Sequence, residues 1–380
     1  MGTWAQSVAQ GWTVYQLTGS ELALGTIQFF GSLPTLFLML PAGVLADRFS
    51  KRKVVTITQT AMMLQAFTLA ALAATHVLRV WHIAVMAACL GLANSFDAPA
   101  RQAMAAEMVE DRRDLMNAVA LNSTIFNTAR VLGPAIGGIV LAQLGAAWCF
   151  GLNGLSFVAV ILALAAMRFP PVESKPVAES LAAQVKVGVS YIWHSSAIRT
   201  MVLLVGFCQL FGFFFSVLMP AYAADALQVG ETGLGSLNAA VGIGALTGSL
   251  VVASAAHSRR QGLLLTMGSF LFPLAILLFS ISRSLVFSML CLGLGGMGFV
   301  TQSATINTLI QSKVPDELRG RVMAVYALMF FGTTPFAALM AGSLGQAFGV
   351  RVAIASGAAI TLCSTLFVFL TTPNLRQAHA

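Results

Sequence analysis

Long apolar runs separated by short polar turns recur from one end of this chain to the other. Each is close to the roughly 20 residues that a helix needs to cross a bilayer. Backbone polar groups in lipid must be satisfied inside helices or closed barrels, and the runs lack the period-two alternation of barrel strands. They therefore predict membrane helices, at 21–46, 54–75, 82–104, 118–144 and 148–167, then at 198–222, 234–256, 263–281, 285–311, 323–348 and 350–371. Residues 1–18 carry Trp4, Gln6, Gln10 and Gln16 and read as the later part of one more span, too short and polar to cross alone. The expected fold is all-α and polytopic, with twelve transmembrane helices in two pseudo-symmetric six-helix halves and a truncated first helix.

The pattern breaks once. Residues 168–197 hold Pro170, Pro171, Pro176 and several charges, and divide the chain into a first half at 1–167 and a second at 198–380. Within the break, Val177, Leu181, Val185, Val189 and Trp193 recur at helical spacing. That predicts an amphipathic helix, lying either on the membrane surface or on the protein itself.

Composition agrees with the pattern. Hydrophobic residues make up 58% of the chain and charged residues 9%, where soluble domains average about 25% charged. The net charge of +8 does not point to nucleic acid, because the cations follow loop position. Sixteen of the 21 Lys and Arg fall in loops on one side, beginning with Arg48, Lys51, Arg52 and Lys53, while Arg79, Arg283 and Arg351 fall on the other. The positive-inside rule then puts both termini and the linker in the cytoplasm of a cell (inner or plasma) membrane protein. The five cysteines lie in or beside apolar runs without a CxxC pair, so neither zinc nor a disulfide framework is indicated. The five histidines sit at span ends, in loops or in the tail, which leaves an enzyme without a convergent set. No Walker A sequence is present, and no cofactor is implied.

An internal repeat appears at an offset near 205. Gly43-Val44-Leu45 matches Gly248-Ser249-Leu250, each followed by a basic turn, and Pro134 matches Pro335. Val252 stands where Asp47 would repeat, so the second half keeps the basic turn and lacks the acid. Parallel repeats of this kind build many secondary transporters.

Gly43, Asp47, Arg48, Lys51 and Arg52 match a motif that follows the second span of the major facilitator superfamily, with Ser50 replacing a glycine. Arg130, Gly133, Pro134, Gly137 and Gly138 are similar to that superfamily's antiporter motif. The stretch Phe96-Asp97-Ala98-Pro99-Ala100-Arg101-Gln102 resembles a bacterial branch that includes enterobactin and macrolide exporters. The resemblance covers nearly the whole chain. It implies alternating-access, proton-coupled export of a small amphipathic molecule such as a drug, siderophore or metabolite, with protons and the lipid bilayer as partners. It also implies a monomer that binds no nucleic acid. An importer, an uncoupled facilitator or a non-transporting sensor are the alternatives.

Each candidate site residue has a second reading. Asp47 with its cations is either a cytoplasmic gate that engages Arg101 or a topology signal. Asp97 is either a proton carrier or a static partner of Arg101 one turn away. Arg130 is either a cavity or gating cation or a helix-packing residue. The resemblance implies a cavity lined by spans 1, 4, 7 and 10, hence Gln6, Gln10, Asn94, Gln209, Phe211, Phe214, Gln302 and Thr305; the phenylalanines equally suit packing. The pattern Gly293-x-Gly295-x-x-Gly298 lies in an apolar span and reads as helix packing rather than nucleotide binding.

Overall fold

A computed structural model describes residues 1–48, 50–107, 112–167, 181–255 and 261–372; for 40, 43–48, 105–107, 112–124, 126–127 and 181–184 it describes the backbone alone. The described residues form helices joined by short turns. The first set is α1 (Gly2–Thr18), α2 (Glu21–Arg48), α3 (Lys51–Ala74), α4 (Val80–Glu107), α5 (Arg112–Leu144) and α6 (Ala146–Ala166). A linker helix α7 (Leu181–His194) precedes the second set, α8 (Ser196–Gly212), α9 (Phe214–Ala221), α10 (Gly230–Ser254), α11 (Gln261–Ser280), α12 (Leu285–Lys313), α13 (Asp316–Gly332), α14 (Thr334–Phe348) and α15 (Val350–Thr371). Among the described residues ten helical segments are long and apolar enough to cross a membrane, and Thr128–Leu144 within α5 is a shorter apolar one.

Two spans expected to be continuous are broken. The seventh turns once at Phe213 and ends in a π-helical turn, Tyr222–Ala226, just after Pro220. Proline has no N–H to give to the carbonyl four residues back, so the helix must rearrange around it. The eleventh breaks at Thr333, and Pro335 then occupies the first turn of α14, where a missing N–H costs little. Elsewhere helices outrun the apolar pattern: α3 begins at Lys51 and α12 runs to Lys313. Hydropathy marks where lipid ends, and a helix continues through its polar last turn.

Glycines set the spacing of the bundle. A Cβ at Gly25 would lie 2.9 Å from the Gly342 Cα, and one at Gly138 would lie 2.8 Å from the Gly235 Cα. These two crossings, α2 on α14 and α5 on α10, join the two sets. Each helix pair is the repeat counterpart of the other. Within the sets, Gly91 abuts the Gly31 carbonyl between α4 and α2, and Gly244 abuts the Gly293 carbonyl between α10 and α12. Gly298 on α12 packs against the Phe272 backbone, so the glycine-rich pattern there is helix packing. Lipid supplies no hydrophobic force between helices, so backbone approach at small residues carries the association.

The linker helix begins at Leu181; 168–180 lie outside the described residues. It packs across α13, where a Cβ at Gly188 would sit 2.5 Å from the Arg321 carbonyl and 3.1 Å from Val325. Ile192 is buried on that face, while Val189 and Trp193 are exposed beside it. The Arg199 guanidinium lies 5.5 Å over the Trp193 ring. One face of the helix therefore lies on the protein, and one edge faces outward.

Adding a side chain at a crossing should wedge the sets apart. Gly342→Val is expected to cost about 1–3 kcal/mol by overpacking and to lower the melting temperature of the detergent-solubilised protein. Gly320→Ala, with nothing within 4 Å of the new Cβ, should leave the melting temperature unchanged or raise it slightly.

Candidate functional site

Between the two sets lies a cavity of about 430 Å³. Helices α1, α2 and α4 supply one wall, with the carboxamides of Gln10, Gln28 and Asn94. The segment from Phe213 to Pro220 supplies the other, and Pro134 and Asn238 lie at its sides. Phe213 is held from behind by Phe299, edge-on at 5.3 Å, and Phe299 is held by Phe272 at 5.4 Å. Among the described residues no acidic or basic side chain lines this space.

At the end of the bundle away from the basic turn, α1 is tied to the second set. Trp12 Nε1 donates to Glu231 Oε1 at 2.9 Å, and Gln16 Nε2 reaches the same oxygen at 3.4 Å. The Tyr15 hydroxyl donates to Asp225 Oδ2, and Ser20 Oγ donates to Gln346 Oε1 at 2.6 Å. The two glycine crossings between the sets lie toward the same end. The cavity is thus clasped on one side by four hydrogen bonds between described residues.

Several expected cavity residues lie elsewhere. Gln6 is buried behind the wall, donating from Nε2 to Gln65 Oε1 at 3.1 Å and accepting from Asn153 Nδ2 at 2.7 Å. Gln209 donates to the Phe330 carbonyl at 2.9 Å. Gln302 accepts from the Cys208 thiol at 3.4 Å, and Thr305 is buried nearby on α12. Phe211 stacks on Phe207 at 6.1 Å, and Phe214 is buried in the core. Of the residues expected to line the cavity, Gln10 and Asn94 do so. In helices apolar on most faces, pattern alone does not tell which polar side chain turns inward. Phe213 lines it from within the aromatic stretch 211–215, and Gln28 and Asn238 were missed. Gln28 lies three residues after the crossing glycine Gly25, and Asn238 lies three after Gly235. That repeat was the usable signal.

Asp97 on α4 is fully buried. Its Oδ1 accepts from Thr58 Oγ1 at 3.0 Å and Gln59 Nε2 at 2.9 Å, and its Oδ2 lies 3.0 Å from Arg101. Arg101 is 58% exposed. This buried carboxylate is thus held by two hydrogen bonds and one ion pair. Gly43, Asp47 and Arg48 lie on the last turns of α2, with side chains outside the described residues. Arg52 donates to the Ala165 carbonyl at 3.1 Å, linking α3 to α6. Lys51 opens α3. On α5, Gly133 and Gly137 pack against Trp4 and Ala5 of α1, while Gly138 packs against α10. Arg130 lies outside the lining, its guanidinium 6.0 Å over the Trp4 ring.

The transmembrane secretion effector family signature matches residues 1–380. The chain belongs to this family of the major facilitator superfamily. It is a multi-pass membrane transporter, not an enzyme. It is 28% identical to the multidrug efflux pump Tap of Mycolicibacterium fortuitum over 97% of this chain and 92% of that protein. It is 29% identical to the enterobactin exporter EntS of Shigella boydii over 87% of this chain and 79% of that protein, and equally to EntS of Escherichia coli. Among solved structures it superposes on a mutant of the nucleoside transporter NupG with a TM-score of 0.79, at 11% identity and covering 97% and 95% of the two chains. A bacterial homologue of the lysosomal transporter Spinster gives a TM-score of 0.75, at 12% identity and covering 100% and 96%.

The two glutamines of α1 separate by stability. Gln6→Leu leaves Gln65 Oε1 and Asn153 Nδ2 without their partner and should destabilise by about 1–3 kcal/mol, seen as a lower melting temperature. Gln10→Leu breaks no described hydrogen bond and should melt within a degree or two of wild type.

Proposed function

We propose that this transporter is a proton-coupled exporter of small amphipathic molecules in the inner membrane. The cavity between two helix sets, clasped at one end, is the observation that carries the reading. Residues 1–167 and 198–380 act as two halves that rock about it, with 168–197 as their cytoplasmic linker. The chain works as a monomer, with both termini and the basic turns in the cytoplasm, an orientation that the charge bias supports. The clasped end is then the outer end, and the described arrangement faces inward. The efflux pump and siderophore exporter among its relatives support the outward direction.

Asp97 is the proton carrier in this reading. Losing Arg101 would leave its carboxylate buried beside two neutral donors, Thr58 and Gln59. Asp47, at the basic end of α2, competes for Arg101 when that end closes. A gate charge and a proton site would then share one cation, so proton uptake and closure are linked. Arg130 and its glycines pack α5 between α1 and α10, where the halves must slide.

Everted vesicles test the coupling with a panel of radiolabelled antibiotics and catecholates. At least one compound should accumulate on energisation and discharge with an uncoupler; accumulation indifferent to the uncoupler would remove proton coupling. Asp97→Asn should abolish gradient-driven uptake while sparing counterflow exchange. Normal pH dependence in that variant would dismiss Asp97.

The clasp has its own test. Trp12→Phe combined with Tyr15→Phe removes two bonds to carboxylates, each worth about 1.5–3 kcal/mol. In a background lacking the exposed Cys89 and Cys363, a cysteine at Gln28 should then label several-fold faster with an impermeant maleimide added outside intact cells. An unchanged rate would mean that the bonds do not hold the outer end shut.

A further inference from the structure

We infer that the cavity selects molecules that are uncharged when bound, with hydrogen-bonding groups on one face and an aromatic or apolar surface on the other. This rests on the transport reading above and adds the substrate class to it. Three observations carry the inference.

The first is the absence of charge. No acidic or basic side chain lines the cavity among the described residues. Charged side chains on the helices around it are engaged elsewhere: Glu231 accepts from Trp12 and Gln16, and Asp225 accepts from Tyr15. Asp97 is held by Thr58, Gln59 and Arg101, and Arg130 lies over Trp4. An ion entering a site with low-dielectric walls and no counter-charge loses its hydration without recompense.

The second is the chemistry of the first wall. Gln10, Gln28 and Asn94 come from three different helices, and their side chains have no protein hydrogen bond among the described residues. Each carboxamide offers both a donor and an acceptor. Three free carboxamides match hydroxyl, carbonyl and amide groups and favour neither sign of charge. Water would satisfy them in the empty state, so a ligand must replace those bonds to bind well. A purely apolar molecule is therefore disfavoured too.

The third is the opposite wall. Phe213 and Val217 present an apolar surface, and Phe213 is fixed from behind by Phe299 at 5.3 Å. A rigid aromatic face suits a flat ring. The volume of about 430 Å³ lies within the range of drug-sized sites. The three carboxamides all lie on the first wall, while the second presents Phe213 and Val217 with Ser216 and Asn238 as its polar members, so a ligand whose hydrogen-bonding groups face α1, α2 and α4 would sit in one orientation. Weak acids and bases would enter in their neutral forms.

Binding to the purified full chain tests this without requiring transport. The probes are radiolabelled chloramphenicol, an uncharged dihydroxy amide on a nitrophenyl ring, tetraphenylphosphonium as a permanent cation and naphthalenesulfonate as a permanent anion. Chloramphenicol should bind saturably and at least about tenfold more tightly than either ion. Asn94→Asp is isosteric and places a carboxylate in the wall. It should raise tetraphenylphosphonium affinity by about tenfold or more and weaken chloramphenicol binding. Gln10→Glu repeats the test from a second helix if Asn94→Asp does not fold. Ions bound as tightly as chloramphenicol, no saturable chloramphenicol binding, or no gain for the cation in either folded variant would each overturn the inference. Selective binding with no movement in proteoliposomes would retire the transport reading and leave the selectivity standing.

Discussion

The architecture depends on how closely helix backbones approach at glycine. In a bilayer, moving an apolar side chain from lipid to a helix interface gains little, so packing contacts must hold the bundle together. Gly25 on Gly342 and Gly138 on Gly235 bring the two helix sets into backbone contact. Gly31 with Gly91 and Gly244 with Gly293 do the same inside each set. Because the crossings are repeat counterparts, the two sets meet with near two-fold balance. Small contact residues also leave little interlocking between the sets, which suits surfaces that must slide.

The cavity follows from that clasp. Near the crossings the sets touch, and Trp12, Tyr15, Gln16 and Ser20 add hydrogen bonds at the same end. Below it the walls part, and the polar side chains there divide into two kinds. Gln6 bonds to both Gln65 and Asn153 and so holds α1, α3 and α6 together. Gln10, Gln28 and Asn94 remain free to face the cavity. Buried polar groups cost stability unless paired, so amides left open beside a space invite a ligand or water.

Asp97 shows the same logic with a charge. A carboxylate inside a membrane protein is expensive, and here three partners, two hydrogen-bond donors and one ion-paired arginine, offset that cost. One of the three, Arg101, is largely exposed and therefore removable. The acid is stable as found and open to perturbation from the basic end of the bundle.

Local pattern by itself determined the apolar segments, the charge imbalance between their two sides, the linker and the internal repeat. Each is a property of composition over about 20 residues, which lipid reads directly. Resemblance to a superfamily motif singled out Gly133, Gly137 and Gly138, which the fold places at helix contacts. Tertiary structure alone decided how each helix is rotated about its axis. A helix that is apolar nearly all round carries little record of its inward face. Hence Gln6 and Gln10 looked alike in the sequence and serve different ends, Gln302 turned away from the cavity, and Gln28 was missed. The breaks at Phe213 and Thr333 also emerged only in the fold. The prolines were visible, but packing chose whether each kinked, capped or ended its helix.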